Sequence, residues 1–241
     1  MRAGNGTSWM MALAMAIVLA GCCDGDHPLG VQEVGGGGPA IVPLGASATY
    51  AVLAGSTVTN TGATEITGDL GVSPGTAVTG FPPGTVSGTI HAGDSDAEEA
   101  QDSLTVAYND AAGQSTGAIS VSGDLTGLTL APGLYKSTSS LAISGTLTLN
   151  ALGNSDSRFM IQMASTLTTG PGSQVILSGG ALASNVFWQV GSSATLGTNS
   201  VFKGTILADQ SITLNTGARV DGRALARNGA VTLDANVITT P

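Results

Sequence analysis

The chain has 241 residues, of which 16 are acidic and 7 basic, and only 10% are charged while 42% are hydrophobic. An acidic chain repels a phosphate backbone, which argues against nucleic acid as a partner. Low charge combined with a high apolar content also argues against a disordered chain. The 36 glycines, together with many threonines and small aliphatic residues, are typical of a β-rich protein with short strands and glycine turns.

The first 21 residues have the features of a secretory signal. One early cation, Arg2, precedes the apolar run Trp9–Leu19, which is short because a bilayer-spanning helix takes about 20 residues. The run ends in Leu19-Ala20-Gly21-Cys22, which resembles a bacterial lipobox, where the signal is cut before the cysteine and the cysteine is acylated. We therefore predict a lipoprotein signal at residues 1–21 and lipidation of Cys22. The alternative is a plain signal peptide with an incidental cysteine.

Residues 22–40 are predicted to form a flexible, glycine-rich tether, because they contain Gly35-Gly36-Gly37-Gly38-Pro39 and little that could pack. The only cysteines, Cys22 and Cys23, are adjacent, so no disulfide is expected in the domain that follows. That domain, residues 41–241, has to rely on buried apolar surface, and its length permits this. We expect it to be exported and held at the cell envelope or cell surface, in the periplasm or outside.

Residues 94–113 are predicted to form a helix. Asp94 or Ser95 supplies an N-cap, and Glu98 stands three residues after Ser95 as in a capping box. An apolar stripe that could lie against a sheet is formed by Ala100, Leu104, Ala107 and Ala111. The spacing of Asp94, Asp96 and Glu98 also suggests a calcium loop, but the EF-hand glycine and terminal glutamate are missing.

Internal repeats near the C-terminus predict the architecture. The segments Ala194–Thr198, Ile212–Thr216 and Val231–Ala235 share one pattern, and their threonines recur after 18 and then 19 residues. Ser165–Thr168 and Gly145–Leu149 repeat the theme upstream. A period near 18 with three short strands per period predicts a triangular parallel β-helix, with one coil per repeat. The alternative is a β-sandwich, which gives no reason for the same threonine to return at this interval.

Strand alternation sorts the side chains of these repeats, since neighbouring residues point to opposite faces of a sheet. If Leu167, Leu196 and Leu214 point inward, a flat array of small groups points outward, nearly free of Lys, Glu and Arg. The predicted outward positions are Thr146, Thr148, Thr166, Thr168, Thr195, Gly197, Thr213, Asn215, Thr232 and Asp234. The simpler interpretation is that threonine favours exposed strand positions in any protein.

Ordered motifs along the domain resemble the microbial ice-binding (antifreeze) β-solenoid family, over a match from about Ile41 to Pro241. The motifs nearest the N-terminus are Leu44-Gly45, Tyr50-Ala51-Val52-Leu53-Ala54, Val58-Thr59-Asn60-Thr61-Gly62-Ala63-Thr64 and Ile66-Thr67-Gly68-Asp69-Leu70-Gly71-Val72-Ser73-Pro74-Gly75. Those further on are Ala131-Pro132-Gly133-Leu134-Tyr135, Phe159-Met160-Ile161-Gln162, Asn185-Val186-Phe187-Trp188-Gln189-Val190 and Phe202-Lys203-Gly204-Thr205-Ile206-Leu207-Ala208.

The resemblance implies a right-handed β-helix whose coils do not stack in simple sequence order. It also implies a helix along one side and a capping region, here about residues 73–93. The implied function is adsorption to ice through a flat face rich in Thr, Ser and Ala, which slows ice growth and recrystallisation. On this chain the implied ice-binding residues are the outward positions above, joined by Thr57 and Thr59, with Gly197, Ala230 and Asp234 interrupting the threonines.

The expected partners are an ice crystal surface and, through Cys22, a membrane; we expect a monomer without nucleic acid, metal or cofactor. No enzyme is predicted, since His27 lies in the tether, His91 stands alone, and no Cys/His cluster suits zinc. The alternative function is a surface adhesin or carbohydrate-binding β-solenoid. Such sites stack sugars on exposed aromatics, whereas Phe187 and Trp188 stand in apolar strand contexts.

Overall fold

A computed structural model describes residues 38–241. The predicted signal, Cys22 and the tether up to residue 37 lie outside the described residues. Residues 38–241 form a stack of parallel strands with one long helix on its side. In this part of the chain, no helix combines the length and the apolarity that a membrane span needs.

The helix divides the strands into two groups. Before it come a 3-10 helix at Gly45–Thr49 and the strands β1 (Tyr50–Ala54), β2 (Thr57–Thr61), β3 (Glu65–Thr67), β4 (Asp69–Val72), β5 (Ala77–Thr79), β6 (Thr85–Val86) and β7 (Ile90–Ala92). Helix α1 spans Ser95–Gly113. After it come β8 (Ile119–Ser120), β9 (Gly123–Asp124), β10 (Thr129–Leu130), β11 (Gly133–Ser137), β12 (Leu141–Ile143), β13 (Thr146–Asn150), β14 (Phe159–Met163) and β15 (Leu167–Thr169). The chain ends with β16 (Gln174–Ser178), a 3-10 helix at Ala183–Asn185, β17 (Val186–Val190), β18 (Ala194–Leu196), β19 (Val201–Ala208), β20 (Ile212–Leu214), β21 (Arg219–Ala226), β22 (Val231–Asp234) and β23 (Val237–Thr239).

Each coil has three sides, so the stack has three faces. The helix face, covered by α1, consists of β1, β4, β7, β8, β11, β14 and β17 with the second halves of β19 and β21. The threonine face consists of β2, β5, β9, β12, β15, β18, β20 and β22. The mixed face consists of β3, β6, β10, β13, β16 and β23 with the first halves of β19 and β21. All these pairings are parallel, which confirms the predicted β-helix.

The coils do not follow the order of the chain. Strands β5–β7 form the coil at one end of the stack, and α1 leads from there to β8–β10 at the other end. Between them, β1 pairs with β4 and β21, while β22 pairs with β2 and β20, and β23 pairs with β3 and β21. One coil is therefore built from both ends of the domain, in agreement with the expected non-sequential stacking.

Aliphatic side chains fill the interior of the coils in stacked rows. Behind the threonine face, Val58, Ile212 and Val231 share one buried row, because their strands pair in register. Near the centre, Trp188 packs on Phe202 with 4.9 Å between ring centroids. Burying each large apolar side chain contributes about 1.5–3 kcal/mol, and residues 38–241 contain no cysteine that could add a disulfide.

Helix α1 confirms the helix predicted at about residues 94–113. Asp94 is its N-cap, since Oδ1 of Asp94 accepts a 2.9 Å hydrogen bond from the backbone N–H of Ala97. Ser95, the other candidate, is the first helical residue. The predicted apolar stripe is fully buried against the helix face: Ala100, Leu104, Ala107 and Ala111.

Buried glutamines fix α1 along the stack. The Nε2 of Gln101 donates to the carbonyl of Ala226 at 3.2 Å, and the Nε2 of Gln162 donates to the carbonyl of Ala111 at 2.5 Å. Between them, the Nε2 of Gln189 donates to the Tyr108 hydroxyl at 2.9 Å. The three bonds reach three different coils, so the helix axis runs parallel to the axis of the stack.

The region expected to form a cap, about residues 73–93, forms the terminal coil β5–β7. The Nδ2 of Asn60 ties this coil to its neighbour by donating to the carbonyl of Gly80 at 2.8 Å. At its end, Nδ1 of His91 lies 2.9 Å from Oδ2 of Asp94. The two carboxylate oxygens of Asp94 thus connect the terminal coil to α1. Asp94 is also the first residue of the spacing that suggested a calcium loop.

Two stacked glycines let β19 and β21 bend from the mixed face to the helix face. Gly204 lies opposite Gly222, at φ values of +105° and +152°. A Cβ on Gly222 would lie 1.9 Å from the carbonyl oxygen of Gly204. We expect Gly222→Ala to destabilise the domain by about 2 kcal/mol or more, which lowers Tm by roughly 4–8 °C. Thermal unfolding followed by circular dichroism measures this.

Gly113→Ala is the matched control, because a Cβ there meets no atom within 4 Å. We expect its Tm to stay within about 2 °C of the wild type. Equal Tm values for the two variants would contradict the steric argument.

Tyr50 gives the fold a sensitivity to alkali. Burial raises the pKa of Tyr50 to about 12, helped by the nearby carboxylates of Asp94 and Asp69. Since the fold favours the neutral phenol, this contribution is complete below pH 10 and is lost as the pH rises from 10 to about 12. We expect the unfolding free energy in urea to fall over this interval, and to fall less in Tyr50→Phe. An identical decline in both proteins would exclude Tyr50 as the cause.

Candidate functional site

One outward column of the threonine face consists of threonines over six consecutive coils. Thr168 lies opposite Thr195, which lies opposite Thr213. The column continues through Thr232 and Thr59 to Thr79. We call these six residues the threonine ladder. Its rungs are about 4.7–4.9 Å apart, the spacing of hydrogen-bonded strands.

A second column of small side chains runs beside the ladder, two residues earlier in each strand. In this column Thr57 lies opposite Ala77. The carbonyl groups of Ala230, Ser211 and Ser193 each accept a hydrogen bond from a backbone N–H of the adjacent coil, which sets these residues one above another. The column consists of Ala77, Thr57, Ala230, Ser211, Ser193, Thr166 and Ser140. The two columns are about 6.6 Å apart. They form a two-column array of hydroxyl and methyl groups.

The structure corrects the predicted alignment of Thr166. The sequence pattern matched Thr166 with Thr195, but Thr168 is the residue opposite Thr195, and Leu167 lies opposite Ala194. Thr166 belongs to the second column, where its hydroxyl donates to Oγ of Ser140 at 2.9 Å. The error has a physical cause. The coil that begins at β15 is 27 residues long, while the following coils have 18 and 19.

The prediction that Thr146 and Thr148 share a face with the ladder is wrong. Both lie on β13 in the mixed face, where Thr146 is opposite Gln174 and Thr148 is opposite Ile176. Their Thr-Leu-Thr pattern is the same as in the ladder strands, but it recurs on a different side of the coil. The alternation of side chains identifies outward residues without identifying the face.

The far edge of the threonine face is less regular. Gly197 is buried, and a Cβ on it would lie 2.5 Å from backbone atoms of Gly170, so this position offers no side chain. Asn215 is exposed, while Asp234 lies opposite Thr61 and accepts a hydrogen bond from the hydroxyl of Thr216. Gly197, Asn215 and Asp234 therefore lie at the edge of the array and do not form a third regular column.

Several array residues escaped the sequence analysis. They are Thr79 and Ala77 in the terminal coil, and Ser193, Ser211 and Ser140 in the second column. Ala142, which lies opposite Thr168, also extends the column of the ladder. A signal for the serines was present, because Ser-x-Thr occurs at 193–195 and again at 211–213 with the 18-residue period. Thr79 gave no such signal, since its coil was assigned to a cap.

Charge separates the threonine face from the mixed face. The strands of the threonine face contain no Lys, Arg or Glu, and their only acids are Asp124 and Asp234. On the mixed face, Nζ of Lys203 forms a 3.0 Å ion pair with Oδ2 of Asp221, and Glu65 and Arg219 lie on the same sheet. The third face is covered by α1. Among the described residues, the threonine face is therefore the exposed side of the stack whose strands contain the fewest charged side chains.

The array is mounted on a rigid support. Its strands are joined coil to coil by backbone hydrogen bonds, and their inward side chains are buried. At the corner with the mixed face, the buried Thr64 hydroxyl donates to Oδ1 of Asn60 at 2.5 Å. The Nδ2 of Asn236 donates to the carbonyls of Asn215 and Ala218 at 2.9 and 3.1 Å. The array residues are thus held in fixed relative positions.

Asp124 continues the column of the ladder beyond Ala142 as a group that is ionised at neutral pH. Hydrogen bonds from Ser144 and from the Thr126 hydroxyl and N–H lower the pKa of Asp124 to about 2. Because the ionised form is favoured, its small, solvent-exposed contribution is present above about pH 4 and is lost as the pH falls towards 2. Carbon NMR titration of the Asp124 carboxyl should show a midpoint near 2.

Thr126→Val tests the cause of this shift. Loss of the hydroxyl donor should move the midpoint towards the ordinary aspartate value of about 3.9. A wild-type midpoint already near 4 would contradict the proposed hydrogen bonding.

A family model described as Ice-binding-like matches residues 52–239. The chain belongs to the ice-binding-like family. An ice-binding protein of Nostoc sp. (strain HG1) is 50% identical over 197 residues, which are 81% of this chain and 73% of the relative. One of Colwellia sp. is 37% identical over 219 residues, 85% of each chain.

Solved structures agree with this membership of the ice-binding-like family. An ice-binding protein from an Antarctic biological consortium has a TM-score of 0.81 and 58% identity, covering 82% of this chain and 90% of its own. One from the Antarctic ascomycete Antarctomyces psychrotrophicus has a TM-score of 0.80 and 40% identity, covering 85% and 99%. The predicted family and fold are confirmed, and this family is not one of enzymes.

Proposed function

We propose that this member of the ice-binding-like family adsorbs to ice through the threonine ladder and the small residues beside it. The observation that carries the proposal is the register, which sets six threonines in line on an exposed face whose strands contain no Lys, Arg or Glu. The names of its relatives, ice-binding proteins of Nostoc sp., Colwellia sp. and an Antarctic ascomycete, point to the same ligand.

The array suits a crystal of water better than a single molecule. Methyl groups restrict the orientations of neighbouring water molecules, and hydroxyls at fixed spacing hold such waters by hydrogen bonds. Each contact is weak, but the strands already hold the side chains in place, so adsorption costs little conformational entropy. Many repeated contacts then add up on a flat ice surface.

An adsorbed molecule slows ice growth without any chemical step. The front can advance only between bound molecules, which curves it and makes further growth less favourable. We therefore propose inhibition of ice growth and recrystallisation as the activity, with no catalytic group and no cofactor.

The aromatic residues weigh against the carbohydrate-binding alternative. A sugar site presents exposed rings, whereas seven of the eight aromatic residues in residues 38–241 are buried, and Phe81 is half-buried. Trp188 and Phe159 are fully buried in the interior.

We also propose that the domain acts at a cell surface. The lipobox ending in Cys22 predicts export, acylation and attachment to the envelope, with residues 22–40 as a tether. A monomer held in this way would attach the cell to ice or shield its envelope from growing crystals.

The ladder is tested by changing threonines to tyrosine. A double variant, Thr195→Tyr with Thr213→Tyr, places two rings in the centre of the array and lifts it from a flat surface. A loss of only about 1.4 kcal/mol of adsorption free energy lowers affinity tenfold. We expect thermal hysteresis and recrystallisation inhibition to fall about tenfold or more while Tm changes little.

Matched single variants distinguish the effect of the face on which a tyrosine is introduced from the effect of the Thr→Tyr substitution itself. Thr59 and Thr67 are exposed threonines of one coil, on the threonine face and the mixed face respectively. Thr59→Tyr should reduce activity strongly, whereas Thr67→Tyr and Thr146→Tyr should retain it. An inert wild-type domain would refute ice binding, and equal losses in all three variants would refute the choice of face.

A further inference from the structure

Two loops form a ridge along the edge where the mixed face meets the helix face. Residues 151–158 connect β13 to β14, and residues 179–185 connect β16 to β17. The loops are joined to each other, since the N–H of Gly153 donates to the carbonyl of Gly179 at 2.8 Å and Nδ2 of Asn185 donates to the carbonyl of Ser155 at 2.8 Å. In the coils after β17 this edge has no loop, because β19 and β21 bend and continue through it as single strands.

The ridge lies opposite the threonine face. In a three-sided coil, the edge between two faces is the side furthest from the third face. The ridge joins the two faces that do not carry the ladder. A surface that contacts the ridge therefore leaves the ladder pointing directly away from it.

The ridge is unusually apolar for exposed loops. Leu152 is 71% exposed and Leu182 is 48% exposed, and Ile176 on the adjoining strand is 41% exposed. Asp156 and Arg158 are the charged residues of the two loops, so the ridge has no net charge in a strongly acidic chain. Most acids of α1, by contrast, stand near its N-terminus at the other end of the stack.

The described chain begins at the ridge. An added Cβ on Gly38 would lie 3.6 Å from backbone atoms of Arg158, and Nη1 of Arg158 donates to the carbonyl of Pro39 at 3.2 Å. Gly38, Leu152 and Arg158 line one cleft of about 440 Å³. Fifteen residues separate Cys22 from Gly38, and the sixteen steps between their Cα atoms span at most about 55 Å. A lipid attached at Cys22 would therefore be tethered to the ridge side of the domain.

We propose that the ridge contacts the lipid surface that holds the anchor, and so orients the domain with its ladder facing outward. The inference rests on the proposed lipid anchor and on the proposed ice-binding face. Two leucines alone bind a membrane weakly, but the anchor converts this contact into an intramolecular one at high effective concentration. The aliphatic side chains enter the headgroup region, and the threonine face meets ice on the other side.

Fluorescent labels test the orientation on the full mature chain with acylated Cys22, in vesicles of phosphatidylethanolamine and phosphatidylglycerol. Cys23→Ser leaves an introduced cysteine as the free thiol. A polarity-sensitive dye at Leu182→Cys should shift to the blue and brighten more than about twofold, since the lipid interface is less polar than water. The matched site Thr168→Cys, on the ladder in the same coil, should keep its aqueous emission.

Three results would overturn the proposal. The first is equal dye emission at the two labelled sites. The second is a blue shift at Leu182→Cys without lipid, which would mean that a second copy of the chain covers the ridge. The third is mass spectrometry that finds Cys22 unacylated in cells. Ice binding by the free domain is measured separately. If the free domain does not bind ice, the proposed function fails while the dye result still decides whether lipid covers the ridge.

A functional variant completes the test. Leu152→Ser with Leu182→Ser should lower the fraction of anchored vesicles captured by ice by about half or more, because misoriented ladders cannot engage. The soluble form of the same variant should keep wild-type thermal hysteresis. Leu128→Ser, an exposed leucine outside the ridge, is the control. Unchanged capture by the ridge variant would contradict an orienting role.

Discussion

Backbone hydrogen bonds between parallel strands place each coil directly on the next, and the position of the functional side chains depends on this register. A threonine on one coil lies over a threonine on the neighbouring coil because Val58, Ile212 and Val231 stack beneath them in the interior. The same bonds set the rung spacing and immobilise the side chains. A slip of one residue would turn the hydroxyl array inward and expose the aliphatic rows.

Charged residues are distributed unevenly over the sides of the stack. Exposed acidic residues are concentrated on the outer side of α1, with Asp96, Glu98 and Glu99 in its first turns. The helix also covers the apolar face of the coils. The side covered by α1 therefore carries a cluster of acidic residues, whereas the strands of the threonine face contain only two acids, Asp124 and Asp234.

The sequence pattern predicted those features that depend on residues close together in the chain. The bounds of α1 could be predicted because Asp94 and the stripe through Leu104 lie within the helix itself, and the last three repeats aligned because their coils have nearly equal length. The placement of Thr166 and Thr148 could not be predicted in this way. The loop at 179–185 lengthens one coil and shifts the alignment, and the face of a strand depends on how many strands precede it within its coil. Thr79 was missed because Gly80 follows it, so its strand lacks the Thr-Leu pattern of β18, β20 and β22.

Strand β22, near the C-terminus, lies between β2 and β20 and joins the two parts of the ladder. During synthesis, the strand that carries Thr59 is made early and the one that carries Thr232 almost last. A chain that stops short of Val231 lacks the strand that connects Thr59 and Thr79 to Thr213, Thr195 and Thr168. The six threonines can therefore form one continuous column only after synthesis has reached the last strands of the domain.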